Sequence, residues 1–261
     1  MQDNTNQIEV RLFAMRRSGS HAFLNWVCSL FDGPACFVND ATRHPPKSKL
    51  HPSDDLPALQ PSRRVPLGSP KQLLLYNLED TFPSRSKNWC LPPELAGESL
   101  RRVTFLLLRD PYNLFASRIR SGETLPDEPF AKKLFPEAPG AERRLRRMWI
   151  EHAREYLRQT TYLDGEVLPV SYNRWLTDPH FRLALAKQLG GVDSDVSLSQ
   201  VTKYGFGSSF EGPGRASLAN RIGLLHRWRH YFKNERYRSF MADESLRSLS
   251  FQIFGPVCDL N

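Results

Sequence analysis

The order of apolar segments along the chain predicts an α/β fold: a single domain with a central parallel sheet flanked by helices. Short apolar runs typical of buried parallel strands occur at 8–15, 72–76, 103–108 and 167–171. Segments with helical periodicity separate most of these runs, which is the alternation that a parallel sheet requires. The chain has 261 residues, 40% of them hydrophobic, and no internal repeat, so we expect one domain over residues 1–261.

The first strand, 8–15, leads into the turn Arg16-Arg17-Ser18-Gly19-Ser20, and an apolar-periodic helix is expected from about residue 21 to 31. Residues 32–70 are rich in Pro, Ser and basic side chains and show no clear period, which predicts a long loop. Loops of this length inside a compact domain usually carry function.

The strand at 103–108 ends in Arg109-Asp110-Pro111. Aspartate is a favoured helix cap and proline a favoured first helical residue, so this tripeptide predicts a helix that runs to about residue 120. A proline-rich segment at 121–140 is predicted to be a second long loop.

The C-terminal half begins with a predicted helix at 141–161, whose apolar face includes His152 as a packed core residue. A fourth strand is expected at 167–171, followed by a helix at 178–189. Further helical segments are expected at 218–231 and 234–241.

The charge of the chain indicates an anionic ligand. The formal net charge is +8, and 27 of the 36 basic residues are Arg. The guanidinium group offers paired donors that match phosphate and sulfate oxygens. No helix-turn-helix, RNP or zinc-finger pattern is visible, so we expect no nucleic-acid partner.

Other features exclude several classes of protein. No apolar run is long enough to cross a bilayer, and the first residues lack the pattern of a secretory signal. The four cysteines have neither metal-ligand spacing nor the density of a disulfide framework. We therefore expect a reduced cytoplasmic protein with no membrane partner and no metal site.

The turn after the first strand has the chemistry of a phosphate cradle. The first N–H groups of a helix have no intrahelical partner, and the helix dipole adds positive potential there. Gly19 permits a tight turn, while two hydroxyls and two guanidiniums are expected to converge on one anion. The residues assigned to this cradle are Arg16, Arg17, Ser18, Gly19, Ser20, His21 and Ala22.

The turn departs from the loop of nucleotide kinases. That loop needs G-x-x-x-x-G-K-[ST], in which the lysine and a magnesium-binding hydroxyl serve phosphoryl transfer. Here Arg17 precedes Ser18, the first glycine is missing and no lysine is present. A small-molecule kinase with an atypical loop therefore stays an alternative, as does a non-catalytic module that binds polyanions through its net charge.

A second anion site is predicted at the end of the strand 103–108. Arg109 lies at the strand end, and Ser117 follows eight residues later on the next helix. In doubly wound sheets, ligands bind beyond the carboxyl ends of the strands, where Arg109 and the turn at 16–21 both lie. Together they can hold two phosphates.

These segments resemble the sulfotransferases that use 3′-phosphoadenosine-5′-phosphosulfate (PAPS). Residues 17–21, followed by Asn25-Trp26, resemble the family's 5′-phosphosulfate loop, and Arg109 with Ser117 resembles its 3′-phosphate site. Three later blocks resemble family contacts in the same order. They are Ser171-Tyr172-Asn173-Arg174-Trp175, Ser209-Phe210-Glu211 and the segment 221–228. The last block lacks the lysine, second glycine and aspartate of the family's loop, so only Arg221 carries over as a phosphate ligand.

The resemblance implies a P-loop-like phosphosulfate turn, PAPS as donor and a metal-independent in-line transfer. Ser18 and Ser20 would hold the 5′-phosphate, and Tyr172, Ser209 and Phe210 would contact the nucleotide. Arg17 stands where many family members have a catalytic lysine. Because a guanidinium does not readily donate a proton, we assign Arg17 to charge stabilisation, with His21 as a possible acid.

The acceptor needs a general base, and the segment after the strand 72–76 provides carboxylates at Glu79 and Asp80. Glu79 is the first choice, with Asp80 and His21 as alternatives. The resemblance implies that loops 32–70 and 121–140 build the acceptor site. The acceptor is expected to be a small molecule, for example a natural product, and the sequence leaves its identity, O- or N-sulfation and the oligomeric state open.

Overall fold

Five parallel strands form the centre of the protein, here described from a computed structural model that covers residues 5–41, 52–86, 89–124, 140–192, 223 and 225–256. The strands are β1 (Thr5–Ala14), β2 (Ala35–Val38), β3 (Lys71–Glu79), β4 (Glu98–Leu108) and β5 (Glu166–Ser171). Their order in the sheet is β2-β3-β1-β4-β5. The predicted α/β class with a central parallel sheet is confirmed.

Helices cover the sheet. Within the described residues they are α1 (Ser20–Ser29), α2 (Pro93–Ala96), α3 (Pro111–Thr124), α4 (Ala141–Tyr156), α5 (Tyr172–Thr177), α6 (Pro179–Leu189), α7 (Glu235–Met241) and α8 (Glu244–Phe254). Their starts follow from local chemistry: the side chains of Asp178, Asn234 and Asp243 each accept a backbone N–H in the first turn of the helix that follows. None of the described helices combines the length and the hydropathy that a membrane span requires.

Three groups of buried apolar side chains make up the core. One packs α1 and α6 against β1, β3 and β4 around Trp26, Phe105 and Trp175. A second joins α3, α4, α7 and α8 around Phe115 and Trp149. The third fills the space beside β2, β3 and β4. The strands β1, β2 and β3 and the second half of β4 are therefore buried on both faces, as parallel strands between helical layers must be.

The register of the strands brings their carboxyl ends together. Ala14 pairs with Glu79 on β3 and with Leu107 on β4. The chain leaves β1 toward β2 at one edge of the sheet and leaves β4 toward β5 at the other. The strand order therefore reverses between β1 and β4, and a crevice for a ligand is expected at such a point.

Several predicted boundaries are wrong. The expected loop 32–70 contains the strand β2 and a short 3₁₀ turn, Pro61–Arg63. β3 continues three residues beyond the predicted end, so Glu79 lies in the strand rather than after it. Residues 172–177 form a helix, and the helix α8 was not predicted. Most of the predicted loop 121–140 lies outside the described residues, and 121–124 belong to α3.

Candidate functional site

The turn between β1 and α1 lies at the point where the strand order reverses. Ser18 N–H donates to the Met15 carbonyl at 3.1 Å, which closes the turn. Arg17 and Gly19 have left-handed backbone angles, with φ of 71° and 90°. The Oγ of Ser20, the first residue of α1, is buried and has no hydrogen-bond partner among the described residues. The first turn of α1 thus presents a hydroxyl and helix N–H groups to a ligand.

Both the left-handed backbone and the neighbouring Tyr172 ring require a glycine at position 19. A Cβ atom added at Gly19 would lie 2.2 Å from Cε2 of the Tyr172 ring. Tyr172 opens α5, directly after β5, and its ring also lies 5.2 Å from the guanidinium carbon of Arg109. The aromatic ring therefore packs on both predicted phosphate sites.

The two predicted phosphate sites are joined by direct hydrogen bonds. Arg17 Nε donates to Ser117 Oγ at 3.3 Å, and Arg109 Nη1 donates to the Arg17 carbonyl at 2.8 Å. Trp149 Nε1 donates to the Arg109 carbonyl at 3.0 Å and holds that strand end against α4. Burial and the positive charge of Arg109 lower the pKa of Arg17 to about 10. An anion bound beside these guanidiniums would reduce their mutual repulsion.

Carboxylates bind the side chain of Arg16. Its Nη2 donates to Asp40 Oδ2 at 2.7 Å, and its Nε lies 3.5 Å from Glu79 Oε2. That both guanidiniums of the turn converge on one ligand stays a prediction. In the structure, carboxylates of Glu79 on β3 and of Asp40 after β2 hold the Arg16 side chain. Burial raises the pKa of Asp40 to about 6, although Arg16 opposes that rise.

Asp80 and Arg118 hold the backbone of the turn. Asp80 Oδ1 accepts the Arg16 N–H at 3.0 Å, and Arg118 Nη1 donates to the Arg16 carbonyl at 3.0 Å. These contacts, with the opposing charge of Arg118, keep the pKa of Asp80 below its usual range despite its burial. The roles of Arg118 and Asp40 were not predicted; only the position of Arg118, next to Ser117 on α3, gave a signal.

Glu79 and His21 are the other two candidate bases. Glu79 ends β3, opposite Ala14, and its side chain is 12% exposed. The His21 ring lies edge-on to Phe37, with 6.2 Å between the ring centres. Burial lowers the pKa of His21, although Glu79 and Asp55 oppose that effect.

The structure brings Arg17, Arg109, Ser117 and Tyr172 together, with Ser18, Gly19 and Ser20 in the adjoining turn. Ala22 is exposed in the first turn of α1. The predicted ligands Ser209, Phe210 and Arg221 lie outside the described residues.

Among the residues that are described, no cluster of His, Cys, Asp and Glu side chains has the arrangement of a metal site.

Similarity to known proteins is found among solved structures. No family model matches the chain, and no curated protein matches it. Among solved structures, the chain is similar to a mouse sulfotransferase, SULT7A1, complexed with PAP. The TM-score is 0.46 at 14% sequence identity, and the match covers 95% of this chain and 90% of the mouse protein.

Proposed function

We propose that this protein transfers a sulfuryl group from PAPS to a hydroxyl or amine of a small-molecule acceptor. The proposal rests on the hydrogen bonds that join the turn 15–20 to Arg109 and Ser117. They lie between β1 and β4, where the strand order reverses. A single anion-binding turn at a helix N-terminus is an ordinary feature of α/β proteins. Two linked anion sites fit a nucleotide with phosphate groups at two positions.

Each phosphate of the donor has its own set of groups. The Ser20 hydroxyl and the N–H groups that open α1 suit the 5′-phosphosulfate. Arg109 and Ser117, at the end of β4 and on α3, suit the 3′-phosphate. Arg17 lies between the sets, because its side chain reaches Ser117 while its backbone belongs to the turn.

The proposed reaction is a displacement at sulfur. The acceptor oxygen or nitrogen forms a bond to sulfur, and the bond between sulfur and the bridging phosphate oxygen breaks. Its electron pair leaves with 3′-phosphoadenosine-5′-phosphate (PAP), and the acceptor proton passes to a base. Arg17 stays charged at neutral pH, because its lowered pKa of about 10 is still well above 7, and it stabilises the charge on the leaving phosphate. Positioning and fixed positive charge supply the catalysis, so the proposed step requires no metal.

Among the three candidate bases, the contacts favour Glu79. Both oxygens of Asp80 are held by Arg118, and its lowered pKa makes it a poor base at neutral pH. The lowered pKa of His21 leaves its ring neutral at pH 7, so it can accept a proton but is poorly suited to donate one. Glu79 is therefore the first choice as base and His21 the alternative, and we assign no role as acid to His21.

The test is a thermal-shift measurement with PAP and, separately, with ATP plus magnesium, each at low and high salt. We expect PAP alone to raise the melting temperature at both salt concentrations, by mass action on the folded state. An equal rise with ATP plus magnesium would support a kinase instead. A rise that disappears at high salt would support a polyanion-binding module. Transfer of label from ³⁵S-labelled PAPS to an acceptor library then tests the reaction itself.

A further inference from the structure

A cavity of about 550 Å³ lies between the segment that follows β3 and the helix α4. The described residues that line it are Phe82, Ser84, Arg85, Arg144, Arg147 and Glu151. This volume is in the range of small-molecule sites. None of these residues belongs to the two phosphate sites described above.

The lining carries an excess of positive charge. The described lining residues include three guanidiniums and one carboxylate, which gives these residues a formal charge of +2. Arg85, Arg144 and Arg147 are all exposed, and none of them forms an ion pair with another residue in the described part of the chain.

Glu151 bonds to the segment after β3 and forms no ion pair with Arg147 in the described part of the chain. The two residues are four positions apart on α4, a spacing at which arginine and glutamate commonly pair. Here Glu151 Oε1 instead accepts the backbone N–H of Ser84 at 2.7 Å. The Glu151 carboxylate thus connects the segment after β3 to the helix α4.

The walls of the cavity are fixed to the candidate active site. The guanidinium of Arg85 lies 5.3 Å from the centre of the buried Phe82 ring. His152 on α4 binds the Thr81 carbonyl at 2.9 Å, next to Asp80, and Trp149 binds the Arg109 carbonyl. The helix α4 therefore lines the cavity and also contacts the segments that follow β3 and β4.

We propose that this cavity binds the anionic group of a small molecule, a carboxylate, sulfate or phosphate, through Arg85, Arg144 and Arg147. Guanidiniums pair with all three groups. The identification of this molecule as the acceptor rests on the proposed sulfuryl transfer. The binding of an anion in the cavity does not depend on that proposal. The acceptor class is then a small molecule with an acidic group in addition to its reacting hydroxyl or amine.

The test measures the affinity of the full chain for citrate by calorimetry, without nucleotide. The variant Arg144→Gln/Arg147→Gln removes two charges from the cavity. Its matched control, Arg143→Gln/Arg154→Gln, removes two charges from exposed positions of α4 outside the cavity lining. We expect the first variant to raise the dissociation constant of citrate about tenfold or more, and the control to change it less than about twofold.

Three outcomes would overturn the proposal: equal weakening in both double variants, no detectable binding of citrate at millimolar concentration, or weakening confined to Arg17→Gln. The last would place the anion in the turn instead. Affinity for PAP, measured on the same proteins, separates this test from that of the proposed function. A cavity variant that binds PAP normally and citrate weakly supports the cavity site whether or not sulfuryl transfer is found.

Discussion

Asp80 and Arg118 form a two-bond ion pair next to the turn between β1 and α1. Arg118 Nη1 donates to Asp80 Oδ1 and Arg118 Nη2 to Asp80 Oδ2, each at 2.8 Å, and the Arg118 side chain is fully buried. The same two side chains bind the N–H and the carbonyl of Arg16. The pair therefore connects β3 and α3 to the turn, and it holds the backbone before a ligand arrives.

Arg118→Met should destabilise the protein strongly, because it leaves the Asp80 carboxylate buried without its partner. Removing one member of a buried pair costs about 3–5 kcal/mol. We expect that loss in the free energy of unfolding, measured in urea. Arg101→Met is the control, because Arg101 makes a similar two-bond pair with Glu166 at the surface. An exposed pair contributes about 1 kcal/mol or less, so equal losses in the two variants would contradict the assigned role of Arg118.

Gly19→Ala should disrupt the turn beyond the cost of backbone strain. A left-handed backbone costs a residue with a side chain about 1–2 kcal/mol. The added Cβ would also overlap the Tyr172 ring, and overpacking costs about 1–3 kcal/mol more. Gly165→Ala isolates the strain, because Gly165 has φ of 76° and no atom near the added Cβ. Urea unfolding of both variants gives the comparison, and a loss at Gly19 no larger than that at Gly165 would exclude the overlap.

The parts of the fold and site that were predicted are those with local signals. Apolar runs mark β1 and β4, and the Gly and Ser residues mark the turn between β1 and α1. The end of β3 was missed because Asn77 interrupts the apolar run; its Oδ1 accepts the Asp40 N–H in the fold. β2 was missed because it has only four residues and follows a proline.

The remaining site residues depend on contacts between distant segments. Asp80 and Arg118 are 38 positions apart, and their pairing is visible only once β3 and α3 are placed side by side. Arg16 was assigned to the ligand from its neighbours in sequence. Its actual partner, Asp40, follows a strand that the sequence pattern does not reveal.

Ser117→Ala should weaken nucleotide binding without unfolding the protein. The Ser117 hydroxyl accepts a hydrogen bond from Arg17 and is proposed to contact the 3′-phosphate. A lost hydrogen bond to a charged group contributes about 1.5–3 kcal/mol, so PAP affinity measured by calorimetry should fall about tenfold or more. Ser121→Ala, one helical turn later, removes a hydroxyl that donates only to the Ser117 carbonyl. An equal fall in both variants would contradict a direct phosphate contact.

Glu79→Gln should abolish turnover and leave PAP affinity within about twofold of the wild type, because the amide keeps the shape of the side chain but cannot accept the acceptor's proton. Turnover is measured with labelled PAPS and affinity by calorimetry. Asp40→Asn is the control, since Asp40 also binds Arg16 but has no assigned role in proton transfer. Normal turnover in Glu79→Gln would exclude Glu79 as the base and leave His21 as the candidate.

His152 should make the stability depend on pH below about 6.5, the usual pKa of histidine in an unfolded chain. Its Nε2–H donates to the Thr81 carbonyl, while its buried Nδ1 has no partner among the described residues, and burial lowers its pKa. Between the lowered folded pKa and 6.5 the unfolded chain binds more protons. This contribution to stability is therefore complete above pH 6.5 and is lost as the pH falls through the folded pKa.

Asp40, whose pKa is raised, has the opposite dependence, since its contribution is lost as the pH rises through about 6. Asp40 and His21 are present in both the wild type and His152→Gln. Their contributions to the pH dependence of stability therefore cancel when the two proteins are compared. We expect the free energy of unfolding of the wild type to exceed that of the variant by more at pH 7.5 than at pH 5.5. The measurement is urea unfolding at each pH. The exposed His180→Gln should show no such change, and a constant difference for His152→Gln would mean that its ring is not the group that titrates.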